Sequence, residues 1–73
     1  MRKYLQFTNI PELLELFPLD PWSRKGLIEV LRRAKIGYVY MPTTMGAMSF
    51  RLHSREDFDL AFKLAKAYYE EDN

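Results

Sequence analysis

The 73-residue chain contains no cysteine and a single histidine. The lack of cysteine excludes disulfides, thiolate metal ligands and cysteine nucleophiles, and one histidine leaves little for an enzyme that needs a base titrating near neutral pH. Long apolar runs are also missing, because the stretch after Met1-Arg2-Lys3 is interrupted by polar residues: Gln6, Thr8 and Asn9. We therefore expect no signal peptide, no transmembrane segment, no cofactor and a cytoplasmic location.

The composition nevertheless supports a folded protein. Hydrophobic residues make up 48% of the chain and charged residues 29%, which excludes a disordered tail. So short a chain supplies only one hydrophobic core, so residues 1–73 are expected to form a single compact domain that frays at its last few residues. The net charge of +1 is too small to indicate nucleic-acid binding by itself.

The spacing of apolar residues predicts six elements. Alternation of apolar and polar residues predicts three strands: Tyr4–Thr8, Tyr38–Met41 and Met48–His53. Helical spacing predicts a short helical turn and two longer helices: Leu13–Phe17, residues 24–35 and residues 55–69. Either Asp20 or Ser23 is expected to cap the first long helix, which Gly37 closes. Ser54 is expected to cap the last helix.

The order of these elements, β-α-α-β-β-α, predicts an α+β fold. A right-handed crossover would place the third strand beside the first and parallel to it. The second strand would pair with the third at the edge, which gives a three-stranded mixed sheet of order 1-3-2. We expect the helices to cover one face of this sheet and to leave the other face open.

Two segments resemble the ferredoxin-like fold, and most closely its RNA-recognition-motif type. Tyr4–Pro11 is similar to the first strand of that family, and Phe50–Phe58 is similar to its third strand and second helix. The resemblance spans most of the chain and omits the fourth strand. It implies RNA binding by stacking of bases on strand aromatics, but the corresponding positions are not aromatic here: Gln6, Ala47 and Ser49.

The open face of the predicted sheet is the first candidate binding surface. Its expected side chains are Tyr4, Tyr38, Tyr40, Arg51 and His53. Tyrosine and arginine combine a large contact area with hydrogen-bonding ends, which suits protein recognition and also permits stacking on bases. In the alternative interpretation, Tyr38 and Tyr40 turn inward in place of Val39 and Met41.

The first long helix supplies a second candidate surface. Glu29 is its only acid, whereas its basic residues are Arg24, Lys25, Arg32, Arg33 and Lys35. Lys25, Arg32 and Arg33 should project away from the apolar stripe. Such a face fits phosphate or an acidic protein surface, and the alternative is an ordinary solvated helix face.

The last helix carries a second apolar stripe on the side opposite its core residues: Leu60, Leu64 and Ala67. Either the segment Leu13–Phe17 covers this stripe, or a partner or a second copy of the chain does. Because a small domain cannot spare apolar surface, we expect the internal cover.

No arrangement of residues predicts catalysis or a metal site. His53 and Ser54 would point apart on a strand, and Ser54 serves better as a helix cap. The acids of the last helix lack a partnering base. Thr43–Gly46 lacks the lysine and the glycine density of a phosphate-binding loop. We therefore expect a protein that is not an enzyme.

The sequence favours a binding or regulatory protein that docks on a larger protein machine. In its size and charge asymmetry the chain is similar to small phage-encoded proteins that inhibit bacterial RNA polymerase, which implies a modulator of host transcription. Two alternatives stay open: a single-stranded nucleic-acid-binding domain, and a dimeric ferredoxin-like module that senses a small molecule. The expected protein is a monomer or a weak dimer without membrane contact.

Overall fold

A computed structural model describes residues 2–42 and 48–71, with Glu71 described by its backbone alone. Two α-helices lie in this part of the chain: α1, Pro21–Arg33, and α2, Arg55–Ala67. Six strands lie in the same part: β1, Arg2–Tyr4; β2, Phe7–Ile10; β3, Glu15–Pro18; β4, Tyr38–Pro42; β5, Met48–Leu52; and β6, Tyr69–Glu71. A 3₁₀ turn, Pro11–Leu13, precedes β3.

Four of these strands form an antiparallel sheet in the order β2-β3-β5-β4, and β1 pairs with β6 in a separate two-stranded sheet. Strand β5 lies between β3 and β4 and runs antiparallel to both. Strands β3 and β4 are therefore parallel to each other, and α1 connects them. This is a split β-α-β arrangement, in which a third strand separates two parallel strands.

The α+β class is confirmed, but the three-stranded mixed sheet of order 1-3-2 is wrong. The position expected for Tyr4–Thr8 is occupied by β3, and the pairing there is antiparallel. Tyr4–Thr8 itself is divided between the two sheets. Leu5 leaves the strand direction and packs against Gly26 of α1. Gln6 then donates its backbone N–H to Ser23 Oγ at 2.7 Å, which fixes the break between β1 and β2.

The leucine spacing predicted a helical turn over Leu13–Phe17, but residues 15–17 of this segment belong to strand β3. Leu14 has a φ of 56°, and this left-handed conformation ends the 3₁₀ turn and starts β3. Leu16 is fully buried and pairs with Phe50 of β5. Pairing with β5 therefore outweighs the helical spacing, because it buries Leu16 and also provides partners for the backbone N–H and C=O groups.

The helix caps mostly follow the sequence. Asp20 rather than Ser23 caps α1, and its carboxylate accepts a hydrogen bond from Ser23 N at 2.7 Å. Ser54 caps α2 as predicted, since its Oγ accepts from Asp57 N at 3.1 Å. After α1, Lys35 adopts the left-handed conformation with a φ of 56°, although Gly37 was expected to close the helix.

Tyr69 was expected to end the last helix and the residues after it to fray, but Tyr69–Glu71 form β6, which pairs with β1. Asp72 and Asn73 lie outside the described residues.

The core lies between one face of the four-stranded sheet and both helices. A row of paired residues crosses this face: Asn9, Leu16, Phe50 and Tyr40. The helices contribute these buried side chains: Leu27, Val30, Leu31, Phe58, Ala61 and Ala65. Within the described ranges, neither 13-residue helix is long and apolar enough to cross a membrane.

Candidate functional site

The face of the four-stranded sheet that points away from the helices, here called the outer face, carries a row of side chains that spans all four strands. Side chains alternate between the two faces of a strand, so this row lies one residue away from the core row. In register across the sheet, its members are Ile10, Glu15, Arg51 and Val39.

An ion pair between Glu15 and Arg51 forms the centre of the row. Arg51 donates from Nε at 2.9 Å and from Nη2 at 2.5 Å to the same oxygen, Glu15 Oε2. Ser49 Oγ donates to the other oxygen, Oε1, at 3.2 Å. The Glu15 side chain is only 9% exposed, whereas that of Arg51 is 41% exposed. The buried carboxylate is thus neutralised and hydrogen-bonded on both oxygens.

Apolar side chains stand at both ends of the row. Ile10 on β2 is 37% exposed and Val39 on β4 is 44% exposed. Phe17 and Met41, which alternate to the same face, are half-buried. Apolar side chains around a neutralised polar centre, with an arginine among them, are the usual composition of a protein-binding surface.

Tyr38 and Tyr40 do not share a face with Arg51, contrary to the placement expected from the sequence. Tyr40 pairs with Phe50, and their rings are stacked with centroids 4.9 Å apart. Tyr38 contacts the edge of the same ring at 5.2 Å. The inward alternative holds because Val39, not a tyrosine, pairs with Arg51.

Tyr4 lies in β1, outside the four-stranded sheet, and is 46% exposed. Its ring is 5.9 Å from that of Tyr69 on β6, a residue that the sequence placed in the last helix because β6 lacks a clear alternating pattern. On the same small sheet, Lys3 Nζ lies 4.5 Å from the Trp22 ring centroid. Trp22 Nε1 in turn donates to Glu70 Oε2 at 3.0 Å.

His53 follows β5 directly and is exposed. It lies beside Gly37, where a Cβ atom would be 3.2 Å from His53 Cδ2. It is therefore a neighbour of the α1–β4 connection and not a member of the outer-face row.

The basic residues of α1 lie on the far side of the molecule from the outer face. Lys25 and Arg32 are exposed, while Leu27 and Leu31 of the same helix are fully buried against the sheet. The two candidate surfaces are therefore separate, since α1 packs on the opposite face of the sheet.

The third predicted cation of this helix, Arg33, is engaged within the molecule. Arg33 Nη2 pairs with Glu29 Oε1 at 2.6 Å. Glu29 also accepts from the Tyr68 hydroxyl at 3.3 Å. Burial raises the pKa of the Tyr68 phenol, and the Glu29 carboxylate raises it further. Arg33 thus belongs to a network that joins α1 to the end of α2.

The apolar stripe of α2 stays uncovered, contrary to the internal cover expected from Leu13–Phe17. Leu60 is 45% exposed and Leu64 36% exposed. Leu13 is itself exposed, and Leu16 is buried in the core of the sheet, so neither leucine covers the stripe. The groove between the two helices is bounded by these residues: Val30, Arg33, Ala34, Leu64 and Tyr68.

Among the described residues, no group of three or more histidine, aspartate or glutamate side chains is close enough to hold a metal ion. The loop Thr43–Gly46 and Ala47, which entered the sequence analysis, lie outside the described residues.

Comparisons of the chain with protein-family models, with curated proteins and with solved structures found no match. The ferredoxin-like resemblance and the similarity to phage inhibitors of transcription therefore stay predictions.

Proposed function

We propose that this protein is a non-catalytic binding protein that docks on a protein partner through the outer face of its sheet. The observation that carries the proposal is the row across that face, in which exposed Ile10 and Val39 flank the Glu15–Arg51 ion pair. Burying two exposed apolar side chains on a rigid sheet contributes to binding at little cost in conformational entropy.

The charge of this row favours a protein over nucleic acid. Nucleic-acid binding needs several cations that remain available to phosphates. Arg51 is instead held by Glu15 through two hydrogen bonds. A neutral centre between apolar ends matches the mixed surface of another protein better than a phosphate backbone.

For the partner we propose a large nucleic-acid-processing machine, with bacterial RNA polymerase as the leading example. The support is the similarity in size and charge asymmetry to phage-encoded inhibitors of that enzyme. On this proposal the protein modulates transcription by occupying a surface of the machine and carries out no chemistry of its own.

The proposal is tested by affinity capture from bacterial lysate with three tagged proteins: the wild type, Ile10→Asp and Leu60→Asp. Ile10 lies on the outer face and Leu60 on the exposed side of α2, so the two substitutions place the same charge on opposite sides of the molecule. We expect the wild type and Leu60→Asp to retain the same protein by mass spectrometry, and Ile10→Asp to lose it.

Recovery of polymerase subunits in this pattern would support the transcription proposal as well. Loss of the captured protein with Leu60→Asp but not with Ile10→Asp would move the binding surface to the helices and refute the outer-face proposal.

A second candidate, single-stranded nucleic-acid binding, is favoured by the β1–β6 sheet. Tyr4 and Tyr69 expose nearly half of their surface, and the Arg2 guanidinium lies 4.9 Å from the Tyr69 ring centroid. Exposed aromatics beside cations stack on unpaired bases. Recovery of oligonucleotide alone in the capture, weakened steeply by salt and lost in Tyr4→Ala, would favour this candidate over the first.

A further inference from the structure

Strand β4 forms one edge of the four-stranded sheet. All five of its residues pair with β5, and among the described residues β5 is its only strand neighbour. An antiparallel edge strand directs every second pair of backbone N–H and C=O groups away from its sheet. These groups bind an extended chain in a way that a helix or a small molecule does not reproduce.

The sequence of β4, Tyr38-Val39-Tyr40-Met41-Pro42, contains no charged residue. Folded proteins usually protect an edge strand with lysine, with proline, with an inward-pointing charge or with a bulge, and β4 carries one of these, Pro42 at its last position. Its first three residues are β-branched or aromatic, and Val39 and Tyr40 are 44% and 40% exposed. The strand therefore has the composition of an edge that associates with another strand.

We propose that β4 pairs with β4 of a second copy of this chain, antiparallel about a two-fold axis that passes beside Tyr40. Two four-stranded sheets then become one sheet of eight strands. The occupant is a second copy because the edge is complementary to itself: it is uncharged throughout, and its two apolar outer-face residues, Val39 and Met41, lie symmetrically about Tyr40.

The pairing register follows from the length of the strand. A two-fold axis beside the middle residue matches all five residues, so that Val39 of one copy lies opposite Met41 of the other. Both residues alternate to the outer face, which makes this an apolar pair, and no like charges meet along the edge. A shifted register would pair fewer residues.

The Tyr40 side chain leaves this edge accessible. Its ring is stacked on Phe50 with an interplanar angle of 12°, so it extends over its own sheet toward β5 and not beyond β4. The opposite edge, β2, is shorter by one residue and includes Asn9, which disfavours strands, so β4 is the better of the two edges for association.

The first test measures molar mass by sedimentation across a wide range of protein concentration. We expect the wild type to move from one chain toward two as the concentration rises. Val39→Lys should raise the dimer dissociation constant at least about tenfold, because a two-fold interface contains the change twice. The matched control Ile10→Lys, an equally exposed outer-face position on β2, should leave the dissociation constant unchanged.

Circular dichroism checks that both variants fold, and Met41→Lys replaces Val39→Lys if the latter does not. A wild-type protein that stays monomeric at every concentration would overturn the proposal. So would a dimer that Val39→Lys leaves intact, or a dimer that is lost only in Leu64→Lys, which would place the interface on the helices.

The second test uses the absence of cysteine from the chain. Residues on the two-fold axis of an antiparallel pair have Cα atoms about 4.5–5.5 Å apart, a separation that a disulfide spans. Tyr40→Cys should therefore form a covalent dimer on mild oxidation, whereas Asn9→Cys should not, although Asn9 lies in the same row of the sheet on the other edge. Equal cross-linking of both variants would refute the β4 interface.

Discussion

At the scale of single residues, the buried carboxylate of Glu15 determines the role of Arg51 on the outer face. Glu15 is nearly inaccessible to water, and its charge is balanced by one side chain, Arg51. From sequence alone Arg51 is a candidate binding residue on the open face of the sheet. The structure gives it a second role, because truncating it would leave Glu15 without a cation.

Arg51→Ala is therefore expected to lower the free energy of unfolding by roughly 1–3 kcal/mol, measured by urea denaturation. In a Glu15→Gln background the same substitution should cost clearly less, because no buried charge is then left unpaired. An equal cost in both backgrounds would show that Arg51 stabilises the sheet by packing alone.

Asp20 acts at the start of α1. The hydrogen bond from the Ser23 backbone N–H lowers the pKa of the Asp20 carboxyl. Because the folded-state pKa is lowered, the carboxylate contributes stability above its unfolded value, and this contribution is lost as pH falls through the folded value. The contribution is thus complete at neutral pH, and only its pH dependence is confined to acidic solution.

Asp20→Ala should reduce the free energy of unfolding by about 1 kcal/mol at neutral pH through loss of the cap. Asp20→Asn should keep most of the stabilisation by the cap, but this stabilisation should no longer depend on pH. The free energy of unfolding of the wild type and of Asp20→Asn is measured from about pH 5 to about pH 2. The difference between the two proteins should change over this pH range. Parallel curves would contradict the assignment.

At the scale of elements, the contact between Leu5 and Gly26 decides how the start of the chain is divided. Gly26 lies inside α1, where alanine is normally the better helix former by about 1 kcal/mol. A Cβ atom at this position would collide with the Leu5 side chain, which is only 7% exposed. Glycine at position 26 therefore leaves room for the Leu5 side chain, which packs against α1 directly after β1.

Gly26→Ala is expected to destabilise the protein, because overpacking costs about 1–3 kcal/mol and exceeds the gain in helix propensity. In a Leu5→Ala background the collision disappears, and the same substitution should become neutral or stabilising. Thermal unfolding of the two single variants and the double variant measures the difference. A stabilising effect of Gly26→Ala alone would mean that Leu5 moves aside freely.

Elements whose signals are local were predictable from sequence. Both helices carry caps and apolar stripes within their own residues, and β4 and β5 alternate or follow clear breaks. Strand β3 was missed because the apolar residues in and before it have helical spacing, and its strand conformation depends on pairing with β2 and with the distant β5. Strand β6 depends in the same way on its partner β1, far away in the chain.

At the scale of the whole molecule, the sheet and the helices form two layers with different outward surfaces. One outward surface is the row with Ile10, Arg51 and Val39, and the other carries the basic side of α1 and the exposed leucines of α2. The sequence identified Arg51 but assigned the tyrosines of β4 to the wrong side. An error of one residue in the facing of a strand exchanges its two surfaces completely.

Strand β1 pairs residues 2–4 with residues 69–71. During synthesis on the ribosome, β1 emerges before β6 and has no strand partner until residues 69–71 have followed. The hairpin of β2 and β3 needs only neighbouring residues, so it is available much earlier. We therefore expect closure of the two-stranded sheet, and with it the contact between Lys3 and Trp22, to be a late event in assembly.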